Sequence, residues 1–162
     1  MSVRVRAACS DDLAAVLALL RELHSEDPAV PLPHACAVWD AILAQPGRTV
    51  LVAENDSGHI VGTAEITITE NLTRGARPFG LVENVVVEES QRRLGAGRAL
   101  LDRATELARA ASAYKVQLAS GSADATSFYQ AVGWSVAGET MKRYLAGSAL
   151  TDAGKAPADT AP

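Results

Sequence analysis

The chain has little that would cross-link it, anchor it in a membrane or attract a polyanion. Only two of its 162 residues are cysteine, which is too few for a disulfide framework. No apolar run approaches the roughly 20 residues of a membrane-spanning helix, and the N-terminus lacks the apolar core of a secretion signal. The formal net charge of −4 leaves no basic surplus to neutralise a nucleic-acid backbone. These absences predict a cytoplasmic protein that binds neither membrane nor nucleic acid.

Residues that ligate metals are also sparse. The three histidines, His24, His34 and His59, have no spacing with one another or with the cysteines that is typical of a metal site, so we predict none. The chain does have the composition of an ordinary globular domain, with 48% hydrophobic and 21% charged residues. We predict one domain over residues 1–145. Residues 146–162, which are rich in alanine, proline, glycine and threonine, predict a disordered tail.

Hydrophobic periodicity predicts both strands and helices. Alternating or short apolar runs predict strands at about 2–7, 49–54, 59–69, 79–88, 115–119, 134–137 and 140–145. Helical spacing of apolar residues predicts four helices, one of which begins at a glycine turn and ends near Ala111. Residues 70–78 predict a polar loop that carries Arg74 and Arg77.

The glycine turn lies between a predicted strand and a predicted helix. It reads QRRLGAGR over residues 91–98. Glycine lets a ligand approach the backbone closely, and the unpaired N–H groups of a first helical turn attract anions together with the helix dipole. Three arginines in the segment add local positive charge. The segment therefore predicts a site for phosphate or pyrophosphate.

Two well-known phosphate-binding motifs do not fit this turn. The third glycine of a dinucleotide-binding G-x-G-x-x-G pattern would fall on Leu100. A nucleoside-triphosphate loop would need Gly-Lys followed by serine or threonine, and none is present there. A dinucleotide site and a nucleoside-triphosphate site are therefore both minor alternatives for this turn.

A second motif, FYQAVGW over residues 128–134, points to a family. Together with ENVVV at residues 83–87 and the glycine turn, it resembles the GNAT superfamily of acetyl-CoA-dependent N-acetyltransferases over residues 2–145. Residues 82–84, 113–116 and 128–129 are similar to the glucosamine-6-phosphate N-acetyltransferase branch and to bacterial relatives. The resemblance implies an α/β fold of the α+β kind. Its mixed, mostly antiparallel sheet would have six to seven strands, about four flanking helices and splayed central strands.

The resemblance also implies where acetyl-CoA lies as co-substrate. Its pantetheine would run along Val85–Val87 like an extra strand, and its pyrophosphate would sit over the glycine turn. Ser122 stands where the family often has a cofactor-contacting asparagine. The implied cofactor-binding residues are Val85, Val86, Val87, Arg92, Arg93, Leu94, Gly95, Ala96, Gly97, Arg98, Ser122 and Tyr129.

Two residues are candidates for catalysis. The resemblance places Tyr129 near the CoA sulfur, where its hydroxyl would stabilise the departing thiolate, while Phe128 is expected to supply the ring that packs the helix. Glu83 is a candidate general base through a water molecule, or else a carboxylate that only orients the substrate ammonium. Asn84 and Arg77, with Arg74, are candidate substrate contacts, although a solvated loop explains the arginines better; if they do bind substrate, an acidic or phosphorylated amine is implied.

The acceptor and the partners are less defined. A small metabolite amine is expected, with an amino sugar phosphate or an amino acid as examples, and a protein N-terminus or lysine as an alternative. A non-catalytic module that binds acetyl-CoA is the competing class. Superfamily members often pair through their C-terminal strands, so we expect a homodimer formed through about 134–145.

Overall fold

A five-stranded sheet forms the centre of the computed structural model, which describes residues 3–138 and 140–141. The strands follow sequence order across the sheet, and every neighbouring pair is antiparallel except the last, which is parallel. The strands are β1 (Arg4–Ala7), β2 (Arg48–Glu54), β3 (Ile60–Thr69), β4 (Phe79–Val87) and β5 (Val116–Leu118). The expected mixed, mostly antiparallel sheet is confirmed.

Helices cover both faces of this sheet. Short 3₁₀ turns at Ser10–Asp12 and Glu89–Gln91 precede two of them. The α-helices are α1 (Leu13–Leu23), α2 (Leu32–Ala44), α3 (Thr73–Ala76), α4 (Ala96–Ala110) and α5 (Ala123–Ala131). The predicted polar loop at 70–78 thus contains one short turn of helix, whose Arg74 and Gly75 have left-handed backbone angles.

Period-two alternation along β2 separates two cores. Leu51 and Ala53 point to one face and join Leu100, Leu101 and other residues of α4 in a buried cluster. Val50 and Val52 point to the other face and pack with α1 and α2. Helix α4 is amphipathic, and its apolar stripe lies on the sheet. The two cores hold the sheet between its helices.

Strand β4 leaves its neighbour β5 partway along its length. The β4–β5 pairing ends at Val82 and Leu118. Just beyond, the β3–β4 register shifts: Thr63 pairs with Val86 and Glu65 with Glu83, so that Asn84 and Val85 together oppose one residue of β3. Asn84 has a φ of 52°, a left-handed conformation that asparagine tolerates better than most residues. Beyond Val82, no described strand pairs with the β5 side of β4, as the splayed strands of the expected fold require. We call this unpaired side of β4, from the bulge to Val87, the cleft between β4 and β5.

The C-terminal strands differ from the prediction. Residues 134–137 form no strand, because the end of α5 binds this segment: the Trp134 N–H donates to the Tyr129 carbonyl at 2.9 Å, after Gly133 with a φ of 95°. The segment at 140–145 lies mostly outside the described residues, as does the tail at 146–162. The sheet described here therefore has five strands rather than six to seven, and dimerisation through 134–145 stays a prediction.

A network of charges holds β1 to the start of α1. The Arg6 guanidinium donates to both oxygens of Asp12, at 2.6 and 2.9 Å, and to Glu54 Oε1 at 2.7 Å. Asp12 is buried, and the Cys9 N–H also donates to its carboxylate. The hydrogen bonds from Arg6 lower the pKa of Asp12 from 3.8 to about 2.

The lowered pKa of Asp12 predicts that the folded protein becomes less stable at low pH. A carboxylate with a depressed folded-state pKa stabilises the fold above its unfolded pKa, and the contribution is lost as pH falls toward 2. Asp12→Asn should lower the free energy of unfolding by about 2 kcal/mol at pH 7, and this difference from the wild type should shrink between pH 4 and pH 2. Urea unfolding across that range measures it. Glu106→Gln, in an exposed pair with Arg103, is the control and should change little; an equal loss at pH 7 and pH 2 would refute the assignment.

Candidate functional site

The cleft between β4 and β5 exposes backbone groups of β4. The Glu88 N–H donates to the Val61 carbonyl of β3 at 2.9 Å. Alternation along the strand therefore turns the backbone groups of Val86 toward β3 and those of Val85 and Val87 toward the cleft. The Val85 and Val87 side chains pack on the core under α4, and the Val86 side chain is buried on the opposite face. Of the three predicted valines, two offer an edge to which an extended ligand can pair.

An uncapped helix N-terminus lies at the end of this edge. After the 3₁₀ turn, Arg93 has a φ of 65° and Gly95 a φ of 96°, and α4 begins at Ala96 with no side chain capping it. A Cβ built on Gly95 would meet nothing within 4 Å, so the turn faces open space. The first N–H groups of such a helix carry the positive end of its dipole. The predicted anion site therefore has the geometry to bind a phosphate.

Gly97 is constrained by packing as well. A Cβ built there would lie 2.9 Å from Phe128 Cζ and 3.6 Å from Val87 Cγ2. The aromatic ring of α5 rests on the first turn of α4, and only glycine leaves room for it. The two sequence motifs are thus in direct contact, which no local pattern around either motif indicates.

The arginines of the turn have different surroundings. Arg92 Nε donates to the Val87 carbonyl at 3.1 Å, and Arg98 Nη2 donates to the Ala131 carbonyl at 3.3 Å. Arg93 is exposed and makes no hydrogen bond or ion pair within the described part of the chain. Leu94 is exposed, whereas Ala96 is buried beneath the turn. Arg93 is accordingly the guanidinium most available to an anion here.

Acidic side chains line the other side of the same turn. An open depression beside it is lined by Glu22, Glu88, Glu89, Ser90 and Arg92. Glu22 Oε2 accepts from the Glu89 N–H at 3.1 Å, which ties the end of α1 to the 3₁₀ turn. The carboxylates of this depression repel phosphate, so an anion is directed to the α4 side.

Tyr129 lies on α5, half-buried against the core. Its ring centroid is 5.3 Å from that of Phe128 and 6.4 Å from that of Trp134. Tyr129 packs on the core cluster, while Phe128 is 37% exposed and lies on the first turn of α4, so both rings of α5 contribute to packing. Burial raises the pKa of Tyr129. Its hydroxyl is therefore protonated at neutral pH and can donate a hydrogen bond.

Glu83 and Asn84 both lie on the face of the sheet that α1 and α2 cover. Glu83 is directly opposite Glu65 in the β3–β4 register, and it is exposed. The Glu83 carboxylate makes no hydrogen bond or ion pair within residues 3–138 and 140–141. Asn84 Nδ2 donates to Glu65 Oε1 at 2.8 Å. An exposed carboxylate at the mouth of the cleft can meet a cationic amine.

Glu65 is a site residue that sequence reasoning missed. It is buried at 8% exposure, and its Oε2 accepts from both Nε and Nη2 of Arg48, the former at 2.8 Å. In the sequence it occupies a polar position of an alternating strand, like Thr63 and Thr67 beside it. One weak feature of the sequence could have identified Glu65. It is the only carboxylate within β3, a strand that the periodicity predicts.

Of three other candidates, two have structural partners. Arg77 donates from Nε to the Ser112 carbonyl and from Nη2 to the Ala113 carbonyl, both at 3.2 Å, and so ties the segment before β4 to the end of α4. Arg74 is exposed at a left-handed position. Ser122 is the N-cap of α5, with Oγ accepting from the Ala125 N–H at 3.2 Å. Substrate or cofactor contacts for these residues stay predictions.

Among the described residues, no group of three or more histidine, cysteine, aspartate or glutamate side chains could hold a metal ion. None of the helices in this part of the chain is both long and apolar enough to cross a bilayer.

A strand edge that opens beside an uncapped helix N-terminus suits an extended, phosphate-bearing ligand. Residues 14–134 match the model of the acetyltransferase (GNAT) family. The chain belongs to this family and is an acetyl-CoA-dependent acetyltransferase.

Individual relatives agree with this membership. The chain is 32% identical over 134 residues to a protein of Trypanosoma brucei brucei named glucosamine 6-phosphate N-acetyltransferase, covering 83% of this chain and 90% of that one. It is 38% identical to a solved structure from Agrobacterium tumefaciens str. C58, provisionally described as an acetyltransferase, with a TM-score of 0.83 and coverage of 88% and 99%. A Clostridium acetobutylicum structure with acetyl-CoA shares the fold, with 21% identity, a TM-score of 0.70 and coverage of 88% and 96%.

Proposed function

We propose that this enzyme transfers the acetyl group of acetyl-CoA to the primary amine of a small metabolite, by direct attack within a ternary complex. The observation that carries the proposal is the cleft at the Asn84 bulge, which ends at the open N-terminus of α4. Both faces of the sheet contribute, since Tyr129 packs on the α4 side and Glu83 lies on the α1 side. Acetyl-CoA and the acceptor amine can therefore approach the same cleft from different directions.

The residues present fit acetyl-CoA. Backbone groups of Val85 and Val87 would pair with the pantetheine amides, a recognition that does not depend on side-chain identity. The N–H groups at the start of α4, with Arg93 beside them, would bind the pyrophosphate. When bound, acetyl-CoA supplies the activated thioester; this chain binds it, orients it and stabilises the charge that develops.

Tyr129 would act on the leaving thiolate by hydrogen bonding. A tyrosine pKa near ~10 against ~8.5 for a thiol makes full proton transfer from tyrosine to thiolate uphill by about 2 kcal/mol. Burial raises the pKa of Tyr129 and makes that transfer harder still. We therefore assign Tyr129 the role of a donor that stabilises developing charge on sulfur, with protonation of the thiolate coming late.

Glu83 would act on the acceptor amine. Its exposed carboxylate can hold the ammonium form at the cleft, or remove a proton from it through a water molecule. Direct attack requires the neutral amine, so an ammonium that Glu83 only holds must lose its proton to another acceptor before it attacks, whereas a general base removes that proton itself. The pH dependence of the reaction distinguishes the two roles.

The acceptor we propose to test first is an amino sugar phosphate. The Trypanosoma brucei brucei relative is named for glucosamine 6-phosphate, and the similarity extends over most of both chains. Other small amines and a protein N-terminus or lysine are the alternatives to be screened in parallel. Relatives named as N-acetyltransferases favour an enzyme over a non-catalytic acetyl-CoA sensor.

The binding site can be tested with two matched glycines. Gly95 and Gly58 both have a positive φ, of 96° and 79°, and a Cβ on either would meet nothing within 4 Å. Gly95→Trp should block the phosphate turn and weaken acetyl-CoA binding by more than tenfold in calorimetric titration, because the indole fills the space above the first N–H groups. Gly58→Trp, in the β2–β3 turn, carries similar backbone strain and should bind as the wild type does. Equal affinities of all three proteins for acetyl-CoA would show that the cofactor does not bind at this turn.

Tyr129→Phe tests the hydroxyl while keeping the packed ring. Loss of one hydrogen bond to a developing charge should lower kcat by about 10- to 100-fold and leave the acetyl-CoA dissociation constant within about twofold. Thiol release with glucosamine 6-phosphate, or with the best amine of the screen, gives kcat. Tyr114→Phe is the control, since Tyr114 contacts Lys115 away from the cleft. An unchanged kcat in Tyr129→Phe would remove this residue from the mechanism.

Glu83→Gln distinguishes a general base from a residue that only orients the substrate ammonium. If Glu83 accepts the proton, kcat/KM should fall by about 10²- to 10⁴-fold and the ionisation that limits the rate at low pH should disappear. If it only orients the ammonium, KM for the amine should rise while the shape of the pH profile stays the same. Steady-state rates from pH 5 to 9 measure both. Identical kinetics in Glu83→Gln and wild type would exclude both roles.

A further inference from the structure

Glu65 is a buried charge that the reaction as described above does not use. Both of its oxygens are occupied: Oε1 accepts from Asn84 Nδ2 at 2.8 Å, and Oε2 accepts from two nitrogens of Arg48. Arg48 is itself held by Gln45 Oε1 at 3.2 Å. A carboxylate with its lone pairs so engaged is poorly placed to accept a proton from substrate, and its burial makes loss of a partner costly.

The residue that Glu65 binds is the bulge residue itself. Asn84 has a φ of 52°, which is unfavourable for a residue with a Cβ unless the surroundings hold it there. The register shift lies between Thr63 and Glu65, so Glu65 marks the last regular pair before the bulge. The bond from Asn84 to Glu65 crosses from β4 to β3 and stabilises the bulged conformation relative to a regular strand.

The bulge in turn sets which groups of β4 face the cleft. A strand without the extra residue would reverse the direction of every backbone group beyond Glu83, since side chains and backbone groups alternate with a period of two. Val85 and Val87 then would not present their backbone groups toward the open edge. The orientation of the cofactor-binding edge therefore depends on the conformation of Asn84.

We propose that Glu65 is a positioning residue for acetyl-CoA, which holds Asn84 in the bulge with the help of Arg48 and thereby aims Val85 and Val87 into the cleft. The inference rests on the proposed function, because it concerns the same cofactor edge. Glu65 touches neither substrate nor the reacting atoms in this role. Its effect reaches the cofactor through the hydrogen bond to Asn84 and the backbone conformation of the bulge.

Calorimetric titration with acetyl-CoA, without any amine, tests this role. Glu65→Leu removes both hydrogen-bonding oxygens and should raise the dissociation constant about tenfold. Glu65→Gln should stay within about threefold of wild type, because its amide oxygen can accept from Arg48 and its amide nitrogen can donate to a rotated Asn84 side chain. Rescue by glutamine would show that hydrogen bonding by this side chain, rather than its negative charge, supports binding.

A matched control separates positioning from general stability. Glu54→Leu breaks a comparable arginine–carboxylate pair, with Arg6, on the part of the sheet away from β4. It should lower the melting temperature about as much as Glu65→Leu does and leave acetyl-CoA affinity unchanged. If the two leucine variants lose affinity in proportion to their loss of stability, Glu65 is merely structural and the proposal fails.

Asn84→Ala keeps the proposal testable if Glu65→Leu does not fold. Alanine removes the side chain that binds Glu65 but keeps a Cβ, so the positive φ at this position loses its support and affinity should fall by a factor similar to that in Glu65→Leu. Wild-type affinity in Asn84→Ala overturns the inference while leaving the proposed function standing. Absence of acetyl-CoA binding by the wild-type protein overturns both.

Discussion

The site depends on one constraint, which is that β4 cannot pair with both of its neighbours along its full length. Up to Val82 it is hydrogen-bonded on both edges, and beyond that point only β3 remains. The bulge at Asn84 makes this separation part of the sheet rather than a frayed end, because the strand rejoins β3 at Val86. An unpaired strand edge inside a protein is otherwise unfavourable, and here it becomes a surface that an extended ligand can complete.

The glycine turn at the start of α4 and the aromatic helix α5 form one packed unit. Phe128 lies over Gly97, and Arg98 bonds the last turn of α5 through the Ala131 carbonyl. The start of α4 is therefore fixed by its contacts with α5. A rigid helix N-terminus presents its N–H groups without first having to order them, which favours binding of an anion.

Burial gives Tyr129 two functions at once. The ring packs between Phe128 and Trp134 on the core, and the same loss of solvent raises the pKa of the phenol. A less acidic phenol is a poorer proton donor but remains a hydrogen-bond donor at every physiological pH. In the catalytic role that we propose for Tyr129, the packing that orients the ring thus also favours charge stabilisation over proton transfer.

The sequence by itself determined the local parts of this protein: the alternating strands, the amphipathic helix α4, the glycine turn before it, and through two motifs the family. These depend on residues a few positions apart, so periodicity and turn chemistry are sufficient to identify them. Only the tertiary structure decided that Arg77 binds the end of α4 and that Glu65 reaches Asn84. It also decided that Gly97 makes room for Phe128, and that residues 134–137 follow the end of α5 instead of forming a strand. The first two contacts join residues 36 and 19 positions apart, and a local pattern does not encode which distant side chain will arrive.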